Sequence, residues 1–184
     1  MKNESKPTKI VVFDLELNQP SEAIIELGYV IGDIFTGEIQ LRKSIFVNPK
    51  ETIAQEIIKL TGINQEMADS GTDLRSAYLE LAKDVTKHNA LTVLHQWGVS
   101  DTYLLRNQLN DPIIWKFGRR WIDIKAIAQT HAMINNTKFV GGLRKFCGRM
   151  GLQMSRANAH RADYDAEMTF KLYIKLASFF KKST

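Results

Sequence analysis

The sequence contains a single cysteine, Cys147, among 184 residues. A lone thiol excludes an internal disulfide and any zinc site built from several cysteines, and it favours a reducing compartment. The first nine residues are polar and lack the apolar stretch of a secretory signal, and no apolar run is long enough to cross a bilayer. These absences predict a cytoplasmic protein without a membrane partner, in which Cys147 is a small core residue.

The composition indicates one globular domain. Hydrophobic residues make up 44% of the chain and charged residues 24%, which is typical of folded proteins rather than disordered ones. We find no repeat, low-complexity segment or internal linker, so we expect a polar tail over residues 1–8 and a single domain over residues 9–184. The net charge of +5 favours a polyanionic partner, although charge alone does not distinguish this from an ordinary basic surface.

Two acidic residues interrupt the apolar run of the first predicted strand, residues 9–17. Side chains alternate between the faces of a strand, so Asp14 and Glu16 point to the same side. Burying two like charges is unfavourable unless a cation neutralises them, and Lys9 is the only base in this strand. A divalent ion is the simplest neutralising group, so the pair predicts a metal site.

The order of the predicted elements favours an α/β fold. Two further strands follow the first and complete an antiparallel meander, at residues 24–31 and 39–47. Shorter strands are then predicted at residues 90–94 and 121–124. Helices are predicted at residues 52–60, 73–85, 100–109, 124–132, 143–150 and 162–180. Three strands followed by alternating helices and strands indicate a mixed central sheet flanked by helices.

Three motifs resemble those of the DEDDh (DnaQ-like) exonucleases. They are Phe13-Asp14-Leu15-Glu16, Asp101-Thr102-Tyr103-Leu104-Leu105, and the run from His160 through Asp165 to Ala166. Each motif is weak alone, but their order and separations agree with the family over nearly the whole chain. The resemblance implies a ribonuclease H-like fold and removal of nucleotides from a 3′ end with two divalent ions.

The resemblance also implies a role for each motif residue. Four carboxylates are expected to hold a pair of Mg²⁺ or Mn²⁺ ions, which prefer oxygen ligands: Asp14, Glu16, Asp101 and Asp165. His160 is expected to be the general base, because an imidazole titrates near neutrality. A sister subclass has tyrosine four residues before the last aspartate, and this position is Arg161 here. The histidine subclass is therefore favoured.

Other acids and histidines have simpler explanations. Asp163 is the strongest competitor for the fourth ligand, yet Asp165 has both the expected spacing from the histidine and the following alanine. Capping or solvated roles are expected for Asp123 and Glu167. The remaining histidines lack a partner at a catalytic spacing and are expected to be surface or structural residues: His88, His95 and His131.

The residues after Glu16 depart from the family pattern. Many relatives have two threonines and a glycine that bind the terminal nucleotide, whereas this chain has Leu17-Asn18-Gln19. We expect Leu17 to pack against the last base, and Asn18 or a backbone N–H group to meet the 3′ hydroxyl. Trp97 precedes the second motif as in the ERI-like and KapD-like branch, which includes RNA-trimming enzymes. Packing is the alternative role for Trp97.

These features predict a 3′-to-5′ exonuclease that acts on single-stranded DNA or RNA and releases nucleoside monophosphates. A free end enters a recessed site more easily than an intact duplex does. A polymerase or another nucleic-acid-processing protein is the candidate protein partner, with residues 179–182 as either its contact or a frayed helix end. Two alternatives stay open: a catalytically silent module that binds nucleic acid or protein, and a hydrolase of small nucleotides or oligonucleotides.

Overall fold

The chain forms a central sheet with helices on both faces. The computed structural model describes residues 7–139 and 141–180, the last two without their side chains. The predicted partner contact at residues 179–182 therefore lies outside the described side chains, and the boundary at residues 8 and 9 stays a prediction. Within the described ranges there are five strands: β1 (Lys9–Leu17), β2 (Ile24–Asp33), β3 (Ile39–Phe46), β4 (Ala90–Gln96) and β5 (Trp121–Asp123).

The sheet is mixed, and its strand order is β3-β2-β1-β4-β5. The first three strands are antiparallel neighbours, whereas β4 runs parallel to β1 and β5 runs parallel to β4. The predicted meander with added parallel strands is confirmed. In the register of β1 and β2, Asp14 lies opposite Gly28, and Glu16 lies opposite Glu26.

The described residues also contain seven helices: α1 (Gln55–Thr61), α2 (Gln65–Asp69), α3 (Leu74–Lys87), α4 (Ser100–Leu109), α5 (Ile124–Ile134), α6 (Leu143–Arg149) and α7 (Ala162–Phe180). The sequence analysis did not predict α2, because five residues are too few to show a helical period. Its first turn is capped by Asn64, whose side chain accepts a hydrogen bond from the backbone of Met67. None of the helices in the described ranges has both the length and the apolar character needed to span a membrane.

The two faces of β1 belong to different cores. Val11 and Phe13 point towards α3, where they join the buried Tyr78 in one apolar cluster. Ile10 and Val12 point the other way, into a second cluster built largely on α5, α6 and α7. Cys147 is buried in this second cluster, as predicted. Alternation along the strand then directs the two acids at its end to the α7 side.

Gly28 lets α7 begin directly against β2. A Cβ atom on Gly28 would lie 2.0 Å from the backbone nitrogen of Asp163 and 2.1 Å from the carbonyl carbon of Ala162. Only a residue without a side chain fits such a close approach. Because Gly28 is opposite Asp14 in the register, the first turn of α7 starts beside the acidic end of β1.

Candidate active site

Three elements carry the motif residues to one edge of the sheet. Asp14 and Glu16 occupy the last part of β1, and Asp165 lies in the first turn of α7. Asp101 lies in the first turn of α4. Because β4 is parallel to β1, the carboxyl ends of the two strands meet at the same edge, and the turn into α4 begins there. Residues that are distant in the sequence are thereby gathered.

Glu16, His160 and Asp165 form the tightest group within this site. One ligand atom from each of them lies within 4.8 Å of those of the other two. The two carboxylates are half-buried and the histidine is exposed. Such a group fits a site where a cation is held at the protein surface and solvent has access from the histidine side.

The four carboxylates disfavour one another's charge. Burial raises the pKa of Asp14 well above its usual value, and the nearby charges of Asp101, Glu16 and Asp165 raise it further. Burial also raises the pKa of Glu16 to about 8, with Asp165 as the next cause. Without an added cation, the site therefore holds protons at a pH at which ordinary carboxylates have lost them.

The other two acids follow the same trend. Burial raises the pKa of Asp101 to about 6, against a hydrogen bond from Ser100 that lowers it. Burial likewise raises the pKa of Asp165 to about 6, although a hydrogen bond from the backbone of His160 opposes the rise. All four predicted ligands thus share one electrostatic environment, which the spacing of the motifs alone could not establish.

One buried oxygen supports binding of a divalent ion. The Oδ1 atom of Asp165 is buried and has no hydrogen-bond partner among the described residues. A buried acceptor without a partner is costly, so such an atom requires an explanation. The donors around it are carboxylate oxygens, which suit Mg²⁺ or Mn²⁺. The residues present fit a divalent metal centre.

His160 adopts an uncommon backbone conformation. Its φ angle is 63°, in the left-handed region that few residues other than glycine occupy. Such strain persists where the surrounding structure fixes it, and it often occurs at functional sites. The next residue, Arg161, supplies the anchor through an ion pair with Glu26 on β2, in which Nη2 lies 2.7 Å from Oε1.

Glu26 is a site residue that the sequence analysis missed. It is completely buried, and its carboxylate accepts hydrogen bonds from Arg161, from the backbone N–H of Ala162 at 2.9 Å and from Ser44 Oγ at 2.5 Å. These donors occupy it, so it holds the start of α7 in place. The signal was available: an acid inside the apolar run of residues 24–31 requires a partner for the same reason as Asp14 does.

The competing acids have partners outside the acidic group. Asp163 accepts a hydrogen bond from Arg42 Nε at 2.7 Å, and Glu167 pairs with the same arginine. Asp123 caps α5 by accepting from the backbone of Lys125 at 2.9 Å. It also accepts from the backbone of Gly98 at 3.0 Å, which ties the turn after β4 to β5. The predicted capping role of Asp123 is confirmed.

The remaining histidines lie apart from the motif residues. His95 is buried on β4 and its Nδ1 atom is 2.9 Å from the carbonyl oxygen of Val93. Burial lowers the pKa of His95 to about 4, so it is neutral at pH 7. His88 is half-buried at the end of α3, and His131 is half-buried on α5.

Asn18, one of the three predicted substrate-binding residues, already has protein partners. It is buried, and its amide nitrogen donates to Glu51 Oε1 at 2.6 Å and to the carbonyl of Thr52 at 3.0 Å. Its side-chain oxygen accepts from the backbone of Ala54 at 2.9 Å. These bonds hold residues 51–54 in a loop, and α1 therefore begins later than predicted. Leu17 ends β1 and is half-buried.

Trp97 lies in the turn between β4 and α4. It is half-buried, and its ring centroid is 6.2 Å from that of Phe146 on α6. This contact joins Trp97 to the apolar cluster on the α7 side of the sheet. Direct contacts of Leu17, Asn18 and Trp97 with substrate stay predictions.

A mixed sheet with acidic side chains gathered at the end of its central strand is the arrangement of ribonuclease H-like nucleases. Residues 11–173 match the model of the RNase_T family, which is described as exonuclease. The chain belongs to this exonuclease family. The chain is of the DEDDh type, and five residues stay the predicted motif residues: Asp14, Glu16, Asp101, His160 and Asp165.

Two curated relatives are bacterial DNA polymerases. The DNA polymerase III PolC-type protein of Staphylococcus epidermidis is 28% identical over 96% of this chain. The Staphylococcus aureus protein of the same name is also 28% identical over 96% of the chain. The match spans only 12% of the length of these relatives, so this chain is similar to one segment of each of them.

Solved structures share the fold. The nuclease domain of 3′hExo bound to rAMP has a TM-score of 0.78 at 18% identity, over 95% of this chain and 94% of that one. Exonuclease X in complex with 5′ overhanging duplex DNA has a TM-score of 0.63 at 17% identity, over 95% and 94%. The zinc-bound E. coli ExoI–ssDNA complex has a TM-score of 0.71 at 14% identity, over 96% and 42%.

Proposed function

We propose that this chain is a metal-dependent 3′-to-5′ exonuclease acting on single-stranded DNA or RNA. It hydrolyses the last phosphodiester bond and releases a nucleoside monophosphate. The observation that carries the proposal is the convergence of Glu16, His160 and Asp165, whose ligand atoms lie within 4.8 Å of one another. Membership in the exonuclease family gives this convergence its chemical meaning.

The four carboxylates would hold two divalent ions: Asp14, Glu16, Asp101 and Asp165. Bound Mg²⁺ or Mn²⁺ ions supply charge stabilisation for the attacking and leaving oxygens of a phosphate. Water attacks the phosphorus atom, and the bond between this phosphorus and the 3′ oxygen of the preceding nucleotide breaks. The products are a 5′ monophosphate and a strand with a new 3′ hydroxyl.

His160 would accept the proton of the attacking water. Its exposure lets it pass that proton to solvent after each turnover. The ion pair of Arg161 with Glu26 and the hydrogen bond from the Ala162 N–H group to the same carboxylate fix the backbone directly after the imidazole. A base held in this way keeps its position relative to Asp165. The residues that hold it would not need to contact the substrate themselves.

The substrate end would be held by residues around the end of β1. Leu17 would pack against the terminal base, and Trp97 would be a second contact for the strand. The side chain of Asn18 is engaged by residues 51–54, and its backbone N–H donates to the carbonyl of Ala23 at 2.8 Å. We therefore assign Asn18 a positioning role for this loop, and its direct bond to the 3′ hydroxyl stays a prediction.

The similarity to PolC-type polymerases supports a role beside a polymerase, where a 3′ exonuclease removes a mispaired end. The neighbouring structures contain both sugars: rAMP is bound to 3′hExo, and single-stranded DNA is bound to ExoI. Both sugars therefore belong in the test of this chain. Trimming outside replication is the same chemistry on a different strand.

The test is a cleavage assay on 5′-labelled single strands of DNA and RNA with matched sequence, in Mg²⁺ or Mn²⁺. Wild-type protein should give a descending ladder, and Asp14→Asn should give none. Asp163→Asn is the matched control, since Asp163 pairs with Arg42 outside the acidic group and should leave the ladder in place. Strand binding without cleavage would indicate a silent module. Cleavage confined to dinucleotides would indicate a small-substrate hydrolase.

A further inference from the structure

A cavity of about 350 Å³ opens beside the proposed general base. One end of it is formed by His160 and Asp165. The walls come from α6 and from the loop that precedes α7, with Met154 among the apolar lining. The cavity thus includes one member of the acidic group, Asp165, and its lining includes no residue of β1 and neither of the residues proposed to hold the terminal base, Leu17 and Trp97.

Three cations line this cavity: Arg144 and Lys145 on α6, and Arg156 in the loop. All three are exposed. None of them forms an ion pair or a hydrogen bond with another residue in the described parts of the chain. Two arginines near the start of α7 or bonded to it are engaged, in the pairs of Arg42 with Asp163 and of Arg161 with Glu26.

The arrangement places free positive charge directly next to a site that binds cations. A single mononucleotide has one phosphate, which the acidic group would engage through its metal ions. Three further cations would have phosphates to bind only if the substrate is a strand, which has more phosphates beyond the one at the acidic group. Guanidinium groups suit this purpose because their planar fork matches a phosphate and does not depend on base identity.

We propose that Arg144, Lys145 and Arg156 bind the phosphates of the strand on the 5′ side of the scissile bond. This inference rests on the proposed exonuclease function and adds the path that the strand takes away from the site. It also implies that the enzyme prefers strands to mononucleotide esters, and that the preference weakens as salt increases.

The test compares the triple variant Arg144→Ala/Lys145→Ala/Arg156→Ala with a charge-matched control. The control is Lys83→Ala/Lys87→Ala/Lys116→Ala, three cations that line a separate cavity around α3, the helix packed on the opposite face of the sheet. Each protein is assayed on a short single strand of DNA or RNA and on the p-nitrophenyl ester of thymidine 5′-monophosphate, which has only one phosphate.

On the strand, the Arg144/Lys145/Arg156 variant should lose roughly 10- to 100-fold in kcat/KM, mostly through KM. The plot of log kcat/KM against the logarithm of the salt concentration should become shallower, with a change in slope of about 2. Each phosphate contact with a single strand contributes about 0.7 to this slope, and the variant removes three contacts. On the ester, kcat/KM should stay within about twofold of wild type, since no second phosphate is present. The control triple should behave as wild type.

Three results would overturn the inference: an unchanged strand kcat/KM, an equal loss in the control triple, or an equal loss on the ester. If the triple variant does not fold, as judged by its thermal transition, Arg156→Gln in the loop takes its place and should still shift KM for the strand alone. Wild-type protein that cleaves neither substrate would refute the proposed function itself, which is a different outcome from loss of strand preference.

Discussion

The buried carboxylate of Glu26 accepts a hydrogen bond from Arg161 Nη2 at 2.7 Å and another from the backbone N–H of Ala162 at 2.9 Å. These two residues directly follow His160 in the chain. The position of the proposed general base is therefore set by an acid on β2 that lies opposite Glu16 and whose oxygens are engaged in holding the start of α7.

Replacing Glu26 with glutamine should weaken both folding and turnover. Glutamine keeps the shape of the side chain but removes the charge that pairs with Arg161, and removal of one partner from a buried pair is costly. We expect the free energy of unfolding to fall by about 2 to 4 kcal/mol, below the cost for a fully buried pair because the Arg161 side chain is 31% exposed. Urea denaturation measures this loss.

The catalytic consequence should be a drop in kcat rather than a rise in KM, because the variant misplaces the base without removing a substrate contact. Ser44→Ala is the control. It removes only one of the donors to Glu26 and should cost about 1 kcal/mol with little effect on kcat. An unchanged kcat in Glu26→Gln would show that the position of His160 does not depend on this pair.

Gly28→Ala should separate α7 from the sheet. The added methyl group would lie 2.0 Å from the Asp163 nitrogen, so the helix must move and carry Asp165 with it. We expect destabilisation of at least about 3 kcal/mol and loss of metal-dependent cleavage, as for overpacking at a site that cannot relax. Gly148→Ala in α6 is the control, since its Cβ would meet nothing within 4 Å and should add up to about 1 kcal/mol of helix stability. Equal thermal stability of the two variants would contradict this account.

Without metal ions, the protein should lose stability as the pH rises from about 4 to about 8. Burial raises the pKa of Glu16 to about 8 and those of Asp101 and Asp165 to about 6, and neighbouring negative charges add to the rise at Glu16 and Asp165. Over this window the folded state binds more protons than the unfolded state, so stability falls by up to about 1.4 kcal/mol per pH unit for each proton. Thermal unfolding in a chelator across this range measures the slope.

Two additions should flatten that slope. Mg²⁺ or Mn²⁺ should raise the melting temperature most at high pH, where the carboxylates are charged and bind ions best. Asp14→Asn should raise the melting temperature of the metal-free protein near pH 8, because it removes a carboxyl group whose ionisation is disfavoured by burial and by the neighbouring acids. A metal-free melting temperature that rises with pH from 5 to 8 would rule out this electrostatic picture.

His160→Gln should reduce kcat by roughly 10²- to 10⁴-fold, the usual contribution of a positioned general base. Binding of a labelled strand in Ca²⁺ should change little, because the four carboxylates and the Arg144/Lys145/Arg156 wall are intact. His88→Gln is the control for loss of an imidazole away from the site. If His160→Gln loses affinity for the strand and keeps kcat, the histidine is a binding residue instead.

The sequence by itself determined the elements and the identity of the motif residues. Alternation along residues 9–17 placed Asp14 and Glu16 on one face, and the apolar stripe of α7 fixed its range at Ala162–Phe180. These are short-range patterns, in which the period of the backbone shows directly in the order of side chains. Where the pattern was short, as in α2, it gave no signal.

Only the tertiary structure decided how the motifs meet and what supports them. Asp101 reaches Asp14 because β4 pairs in parallel with β1, and Asp165 reaches Glu16 because Gly28 admits the start of α7. The partners of Glu26 and Asn18 are likewise distant in the chain, so no local period reports them. Their roles depend on strand order and close packing, which are fixed by burial of the whole core rather than by any one segment.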